Sequence, residues 1–486
     1  AEYGGPQDIE WAIDTDGTLR LLQARPITTL YPPDPGKGPV LGPGPVAETF
    51  PEALSPLEQD LWVPAMRTGI VEALNLSSTA SARALRRSPV VAVVGGRVAA
   101  DLDLLGARKV KRSILRKLDP RPSARRLGAA WRVGRLRAAL TGLSSDLVDE
   151  IDDHLLTVPP LDALADAQLV GLIERVRETL AVAHGHEVLA GLIGSQDHAP
   201  ATTGASAALA ALAAGRAAGH DDARIVTETP VVLALVPPRI AAAPALPQGA
   251  IAPPPPSGEV PDDAALLREA LRLRVRWLQE LSARAAYELG ARLASRGLLH
   301  APESVRWLNF DELANLVHAP TAPRSLGGTI VERADADEAA PLPVAFRLTE
   351  DGRPAPVADG VPSGARGAGG GRGTGPVHQG PGTPPAGSVL VVRTLDPNLA
   401  PVLPHLGGLI AETGSILSHL AILAREFGVP TVVGVPEALR KYPHGTVVLV
   451  DGSAGEITIV RAAGEAEAES TTGDAEDASP SAGAAA

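Results

Sequence analysis

Residues 412–434 read ETGSILSHLAILAREFGVPTVVG. A loop of small residues, Thr413-Gly414-Ser415, runs into SHLAILAREFG (418–428), whose apolar spacing predicts a helix ended by Gly428. TVVGV (431–435) then predicts a short strand. Ser418 and His419 fall in the first turn of the expected helix, where free backbone N–H groups and the positive end of the dipole favour a phosphate. The same field disfavours an imidazolium and keeps His419 neutral and nucleophilic near neutral pH. A neutral imidazole can attack phosphorus and form a phosphohistidine, which divides one transfer into two steps. A lone His at a helix start is more often a cap or a surface group, so the surrounding motif carries the chemical reading.

Working outward, VLVVR (389–393), LIAE (409–412), VVLVD (447–451) and EITIV (456–460) read as further short strands, giving a compact α/β unit over 388–462. The Glu/Ala/Ser/Thr-rich tail 463–486 is expected to be disordered. Before the unit, the Gly/Pro-rich stretch 351–387 is expected to be a mobile connector. Residues 47–350 are expected to form a mainly helical domain. Apolar spacing near 55–75, 101–118, 122–142 and 161–193 supports helices, as does a long segment from 262 to 296 stopped by Gly297. VVAVVGGRV (90–98) reads as a strand pair turning on Gly95-Gly96, and the Pro-rich stretch 251–261 as a stiff spacer.

Residues 1–30 contain PQDIEWAID and TLRLLQARP on either side of Asp16-Gly17, a strong hairpin signal. A two-residue turn there sets Asp14 opposite Leu19, Ala12 opposite Leu21, Glu10 opposite Gln23 and Asp8 opposite Arg25. Ile9, Trp11, Ile13, Leu22 and Ala24 then share one face. Residues 31–46 read as a linker.

Composition narrows the function classes. The 486 residues contain no Cys, which excludes disulfides, thiolate nucleophiles and Cys-ligated zinc within the chain. No apolar run is long enough for a membrane span and there is no signal-peptide pattern, which fits a cytoplasmic protein and no membrane partner. The net charge is −12, so a nucleic-acid partner is not expected. The basic run 108–137 reads as a solvated helical face in an Arg-rich chain. His184, His186 and Glu187 form an HxHE cluster, but His residues two apart on a helix point to different faces, which argues against zinc. Trp277 and Trp307 are candidates for a pocket wall, with core packing the better expectation.

The 412–434 stretch resembles the phosphohistidine signature of the phosphoenolpyruvate-utilising enzymes: a Thr-Gly-Gly-type loop, Ser/Thr-His, an apolar helix, Ala-Arg-Glu and a Gly-x-Pro-x-Val-Val-Gly strand. These are matched by Thr413-Gly414-Ser415, Ser418-His419, Ala424-Arg425-Glu426 and Gly428 to Gly434, with Ser415 in place of the second loop Gly. The first thirty residues resemble the last hairpin of that family's ATP-grasp domain. The resemblance implies a multidomain α/β architecture: a residual ATP-grasp hairpin, a mainly helical middle domain, and a C-terminal swivelling phosphohistidine domain.

It implies His419 as catalytic phosphoryl carrier. Thr413, Gly414, Ser415 and Ser418 would bind phosphate, with Arg425 either joining them, pairing with Glu426 or facing solvent; Glu10, Gln23 and Arg25 would face ATP; and Glu10 and Gln23 would hold Mg2+. A barrel, which takes about 250 residues, does not follow the His domain; the long segment lies before it instead. That order is similar to the rifampicin phosphotransferase branch. The implied activity is a dikinase-type phosphotransferase component that carries the β-phosphoryl group of ATP to the hydroxyl of a small-molecule acceptor. Because nearly all of the ATP-grasp domain precedes Ala1 in that family, the chain reads as a fragment, a subunit partnered by a separate ATP-grasp chain, or a remnant. The alternative function is a non-catalytic binding or regulatory protein.

Overall fold

A computed structural model describes residues 7–16, 18–26, 38–44, 46–105, 121–193, 204–248, 263–319, 325–335, 342–357, 365–380, 382–414 and 418–462, with 321, 323 and 416. It is multidomain α/β, with three separate sheets and a large helical region among the described residues.

The N-terminal hairpin pairs strands β1 (Gln7–Ile13) and β2 (Leu19–Pro26) antiparallel. Glu10 faces Gln23 and Asp8 faces Arg25, as the sequence predicts. Nearer the turn the expected register is wrong by one residue: Trp11 pairs with Leu21, Ala12 with Arg20 and Ile13 with Leu19, with an irregularity between Glu10 and Trp11. Asp14 supplies the reason. Its carboxylate accepts from the Asp16 N–H at 2.8 Å and from Arg20 Nε at 3.0 Å, and its N–H donates to the Thr18 carbonyl at 3.0 Å. The turn is thereby wider than two residues, and a bulge absorbs the difference.

The helical region begins with β3 (Leu41–Gly42), α1 (Val46–Thr49), α2 (Pro56–Leu76) and α3 (Ala82–Arg87). The β4–β5 pair (Val91–Val94 and Arg97–Asp101) turns on Gly95 and Gly96, both at positive φ. Next come α4 (Arg121–Thr157), α5 (Asp166–Ile193), α6 (Gly204–Ala217), α7 (Asp222–Glu228) and a 3-10 turn over Pro230–Leu235. Helices α8 (Asp263–Ser295), α9 (Phe310–His318) and α10 (Leu326–Asp335) follow. The expected 122–142 helix is longer, ending at Thr157; the expected helix at 101–118 opens as the end of β5 and a turn, and 106–120 lie outside the described residues. The side chains of the basic run, the spacer 251–261 and the tail 463–486 lie there too. Asp101 anchors its turn by accepting from Ser88 Oγ at 2.6 Å and from the Asp103 and Leu104 N–H groups.

Helices α2, α5 and α8 form the main core, centred on buried Leu61, Trp62, Ile173, Val176, Leu278 and Leu289. Gly69 of α2 lets the backbones nearly touch: a Cβ there would sit 2.4 Å from the Ala181 carbonyl and 2.8 Å from the His184 Cβ. Strands β6 (Phe346–Leu348) and β7 (Pro354–Pro356) complete a five-stranded sheet of order β4-β5-β3-β6-β7.

The C-terminal sheet has the order β14-β13-β9-β10-β11-β12-β8. Its strands are β8 (Arg366–Gly369), β9 (Arg372–His378), β10 (Val389–Val392), β11 (Gly408–Ala411), β12 (Thr431–Val433), β13 (Val447–Asp451) and β14 (Glu456–Arg461). Strands β9 to β12 run parallel, and β8, β13 and β14 antiparallel to their neighbours. Here the expectation for 351–387 needs correction, since β7, β8 and β9 lie within that supposed connector. The glycines that suggest a loop instead permit close backbone approach: a Cβ on Gly367 would lie 2.1 Å from the Gly452 carbonyl, and Gly369 N–H donates to that carbonyl at 2.8 Å. Two helices complete the unit, α11 (His419–Glu426) and α12 (Ala438–Lys441).

Candidate functional site

Helix α11 begins where the sequence places it. Ser418 is its N-cap, with β-region dihedrals, and its hydroxyl accepts from the Ala421 N–H at 3.1 Å; His419 is the first helical residue. The His419 side chain and the whole of Ser415 lie outside the described residues. Thr413 is buried, with both its N–H and its hydroxyl donating to the Arg393 carbonyl at 2.9 Å. Gly414 has φ +143, and a Cβ there would lie 3.1 Å from Leu395 Cδ1, so the loop needs this glycine. Thr413, Gly414 and Ser418 thus lie along the approach to α11.

Arg425 does not join them. Six residues into the helix, it is about 9 Å along the axis from His419. Its Nε donates to the Ala368 carbonyl at 2.7 Å, across Gly369 of β8. Glu426 accepts a hydrogen bond from Ser206 of α6, which ties the C-terminal unit to the helical region. At the other end of the chain, the register sets Glu10 opposite Gln23 and Asp8 opposite Arg25; the side chains of Glu10, Gln23 and Arg25 lie outside the described residues.

The start of α11 faces the helical region. Ser418 and Leu420 share the wall of a cavity of about 100 Å3 with Glu48 of α1, His184 and Glu187 of α5, and Glu269, Arg272 and Gln279 of α8. Leu233, Leu235 and Val236 add apolar wall from the helical side, and Leu395 and Ala400 from the C-terminal side. One buried core joins the two regions here, with Leu209, Leu212 and Val232 packing in the same cluster as Leu395, Leu420 and Leu423.

Arg272 is ringed by three carboxylates: Glu187 at 3.7 Å, Glu269 at 3.8 Å and Glu48 at 3.9 Å. Burial works to lower its pKa, but those charges outweigh it and raise it above the ordinary value. Burial likewise pushes the Glu187 carboxyl up. The His184 hydrogen bond, with the charges of Arg272, His184 and Arg268, more than reverses this and holds it below the ordinary carboxylate value. Three buried nitrogens of cavity-lining residues make no hydrogen bond within the protein: His184 Nε2, Arg272 Nη1 and Gln279 Nε2. Buried groups of this kind are rarely left unpaired; the Arg272 and Gln279 nitrogens are donors and suit a ligand carrying oxygen acceptors in an apolar frame.

The sequence reading put no weight on Glu48, Glu269, Arg272 or Gln279. The available signal was charge on the core side of α8, where Glu269 and Arg272 stand at three-residue spacing among leucines. The HxHE argument holds: His184 lines the cavity, while His186 faces α4, its Nδ1 2.8 Å from Ser144 Oγ. Among the described residues no group of His, Cys, Asp and Glu could hold a metal ion, and no helix is long and apolar enough to cross a membrane. Trp277 stands outside the cavity wall, its indole N–H donating to the Pro230 carbonyl at 2.9 Å.

Comparison with known proteins adds to this geometry. Residues 384–455 match the mobile domain of PEP-utilising enzymes, and residues 1–36 match the pyruvate phosphate dikinase AMP/ATP-binding domain. A rifampicin phosphotransferase of Streptomyces sviceus is 34% identical over 181 residues, 35% of this chain and 20% of that protein. A phosphoenolpyruvate synthase of Aeropyrum pernix is 39% identical over 71 residues, 15% of this chain and 9% of that protein. A rifampicin phosphotransferase of Bacillus subtilis is 38% identical over 73 residues, 15% of this chain and 8% of that protein. The chain therefore spans a fifth or less of the length of these curated relatives. Two stretches of the chain, residues 1–36 and 384–455, are thus similar to parts of the phosphoenolpyruvate-utilising enzymes.

Proposed function

We propose that this chain is the carrier and acceptor-binding part of a dikinase-type phosphotransferase. His419 takes the β-phosphoryl group of ATP and passes it to a hydroxyl of a small molecule held in the cavity between α8 and α11. The observation that carries the reading is the shared wall: Ser418, immediately before His419, and the buried groups of the helical region line one cavity. A phosphoryl group on the first residue of α11 would lie at the positive end of that helix. Arg272 would hold acceptor or phosphoryl oxygens, since its Nη1 makes no hydrogen bond within the protein. Leu233, Leu235 and Val236 would seat an apolar frame and exclude water from the transfer.

At the hairpin, Glu10 and Gln23 stand directly opposite on one face, which suits two oxygen ligands of a hard cation, and Arg25 is two residues beyond Gln23 on the same face. Mg2+ bound there with ATP would neutralise phosphate charge. A separate ATP-grasp chain is the partner this reading calls for, and a cytoplasmic location is the compartment it fits.

The test is labelling with ATP carrying 32P at the β position, with the ATP-grasp portion supplied. Label is expected on the chain as acid-labile, alkali-stable phosphohistidine. Equal labelling of a His419→Ala variant refutes the proposal.

A further inference from the structure

We propose that His184 is the general base of the transfer, taking the proton of the acceptor hydroxyl, and that Glu187 positions its ring. This rests on the carrier reading above. His184 is 4% exposed, and it lines the same cavity as Ser418. Its Nδ1 is 3.4 Å from Glu187 Oε2, while its Nε2 is shielded from water and unpartnered. An ionised Glu187 can only accept, so it fixes the proton on Nδ1 and leaves a lone pair on Nε2. A base oriented by a third group, beside the site of a nucleophile, is the arrangement that hydroxyl activation requires.

The other charged residues that line the cavity with His184 and Glu187 are Glu48 from α1 and Glu269, Arg272 and Arg276 from α8. None serves as well. The arginines are permanent cations. Glu269 accepts from the Gly204 N–H at 3.2 Å and, like Glu48, faces Arg272. Glu187 is held below its ordinary pKa and is the weaker base for it. The backbone carrying His184 is also fixed, because Gly69 brings α2 against it with no room for a methyl group.

The step balances. The hydroxyl oxygen bonds to the phosphorus carried on His419, the N–P bond breaks, and its electron pair returns to the His419 ring. The hydroxyl proton passes to Nε2 of His184, and the resulting imidazolium keeps its Nδ1–H on Glu187. A phosphate monoester leaves, and His184 gives up its proton to the solvent that enters as the product departs.

The experiment charges the full chain with 32P-phosphoramidate, removes the reagent and adds n-butanol, an alcohol small enough for the cavity. Formation of labelled butyl phosphate is followed across the acid and neutral range. His184→Gln keeps an amide near the Nε2 position without its basicity, and is expected to transfer bound label, counted per labelled chain, about 100-fold more slowly and without the wild-type pH dependence. Glu187→Gln is expected to slow transfer about tenfold, with Glu187→Asp recovering part of the loss. Should His184→Gln not melt cooperatively, His184→Asn is read in its place. Transfer by that variant within about threefold of wild type and with the same pH dependence overturns the assignment, as does a wild type no faster than the variant. A wild type that takes no label, or a His419→Ala chain that takes as much, overturns the carrier reading and the base with it.

Discussion

Replacing Ser418 separates two contributions at the start of α11. Its hydroxyl accepts from the Ala421 N–H at 3.1 Å, and Ala421 is fully buried, so no water can take over that donor in the folded chain. Loss of an N-cap costs about 1 kcal/mol, and a buried N–H left unpaired costs about 1–3 kcal/mol. These describe one hydrogen bond and are not summed; about 1.5 kcal/mol is expected for Ser418→Ala. Amide exchange over 419–427, read by mass spectrometry, should therefore lose about tenfold in protection, while α2, α5 and α8 keep theirs. Ser418→Asp keeps a good cap and adds a favourable charge at the helix's positive end, so protection should stay near wild type. The same carboxylate would repel an incoming phosphoryl group, and charging by phosphoramidate should slow at least about tenfold, or ~1.4 kcal/mol. Undiminished protection in Ser418→Ala, or equal losses in Ala and Asp, would refute the capping argument. Unchanged charging of Ser418→Asp would refute the placement of phosphate at this helix end.

Two further outcomes follow from the helical core. Gly69→Ala gains about 1 kcal/mol of helix propensity, but its methyl group would lie 2.4 Å from the Ala181 carbonyl, 2.6 Å from the Gly185 N and 2.8 Å from the His184 Cβ. Overpacking against backbone costs about 1–3 kcal/mol, so a net loss is expected in urea unfolding, and a smaller one for Gly185→Ala, whose nearest contact is 3.4 Å. Glu187 gives a pH dependence. Its folded pKa lies below the unfolded 4.5, so its contribution is complete above that value and is lost as pH falls through the lower folded one. The stability gap between wild type and Glu187→Gln should accordingly narrow on acidification below about pH 4.5, and a gap that widens there would count against the His184 and Arg272 pairing.

Local signals carried much of the fold. Ser418, Gly428 and Gly297 mark helix ends through capping and positive φ, and they do so in the structure. Gly95-Gly96 likewise marked the β4–β5 turn. Failures came where a local signal served a distant contact. The glycines of 366–375 read as a loop, yet their small size lets β8 and β9 approach residues 407 and 452. Asp16-Gly17 read as a two-residue turn, yet the side chain of Asp14 widened it. The site divides in the same way. The α11 start was legible because a loop, a cap and a helix are contiguous, whereas the opposite wall comes from α1, α5 and α8, which only the packing of three helices brings together.

That packing bears on how a carrier would work. The start of α11, where Ser418 and Leu420 line the cavity, is continuous with a buried apolar core, in which Leu420 and Leu423 meet Leu209, Leu212 and Val232 of the helical region. Apolar area taken from water is worth about 25 cal/mol per Å2, so parting these residues to reach a nucleotide site elsewhere would cost several kcal/mol. The Ser206–Glu426 hydrogen bond adds to that cost. On the carrier proposal, the docked arrangement would be the resting one and visits to the donor the minority state. Weakening the contact, as Leu423→Ala would, should then speed charging by a separate ATP-grasp chain while slowing delivery to the acceptor. A single rate constant for the overall reaction would hide these opposite changes, so the two half-reactions have to be timed separately.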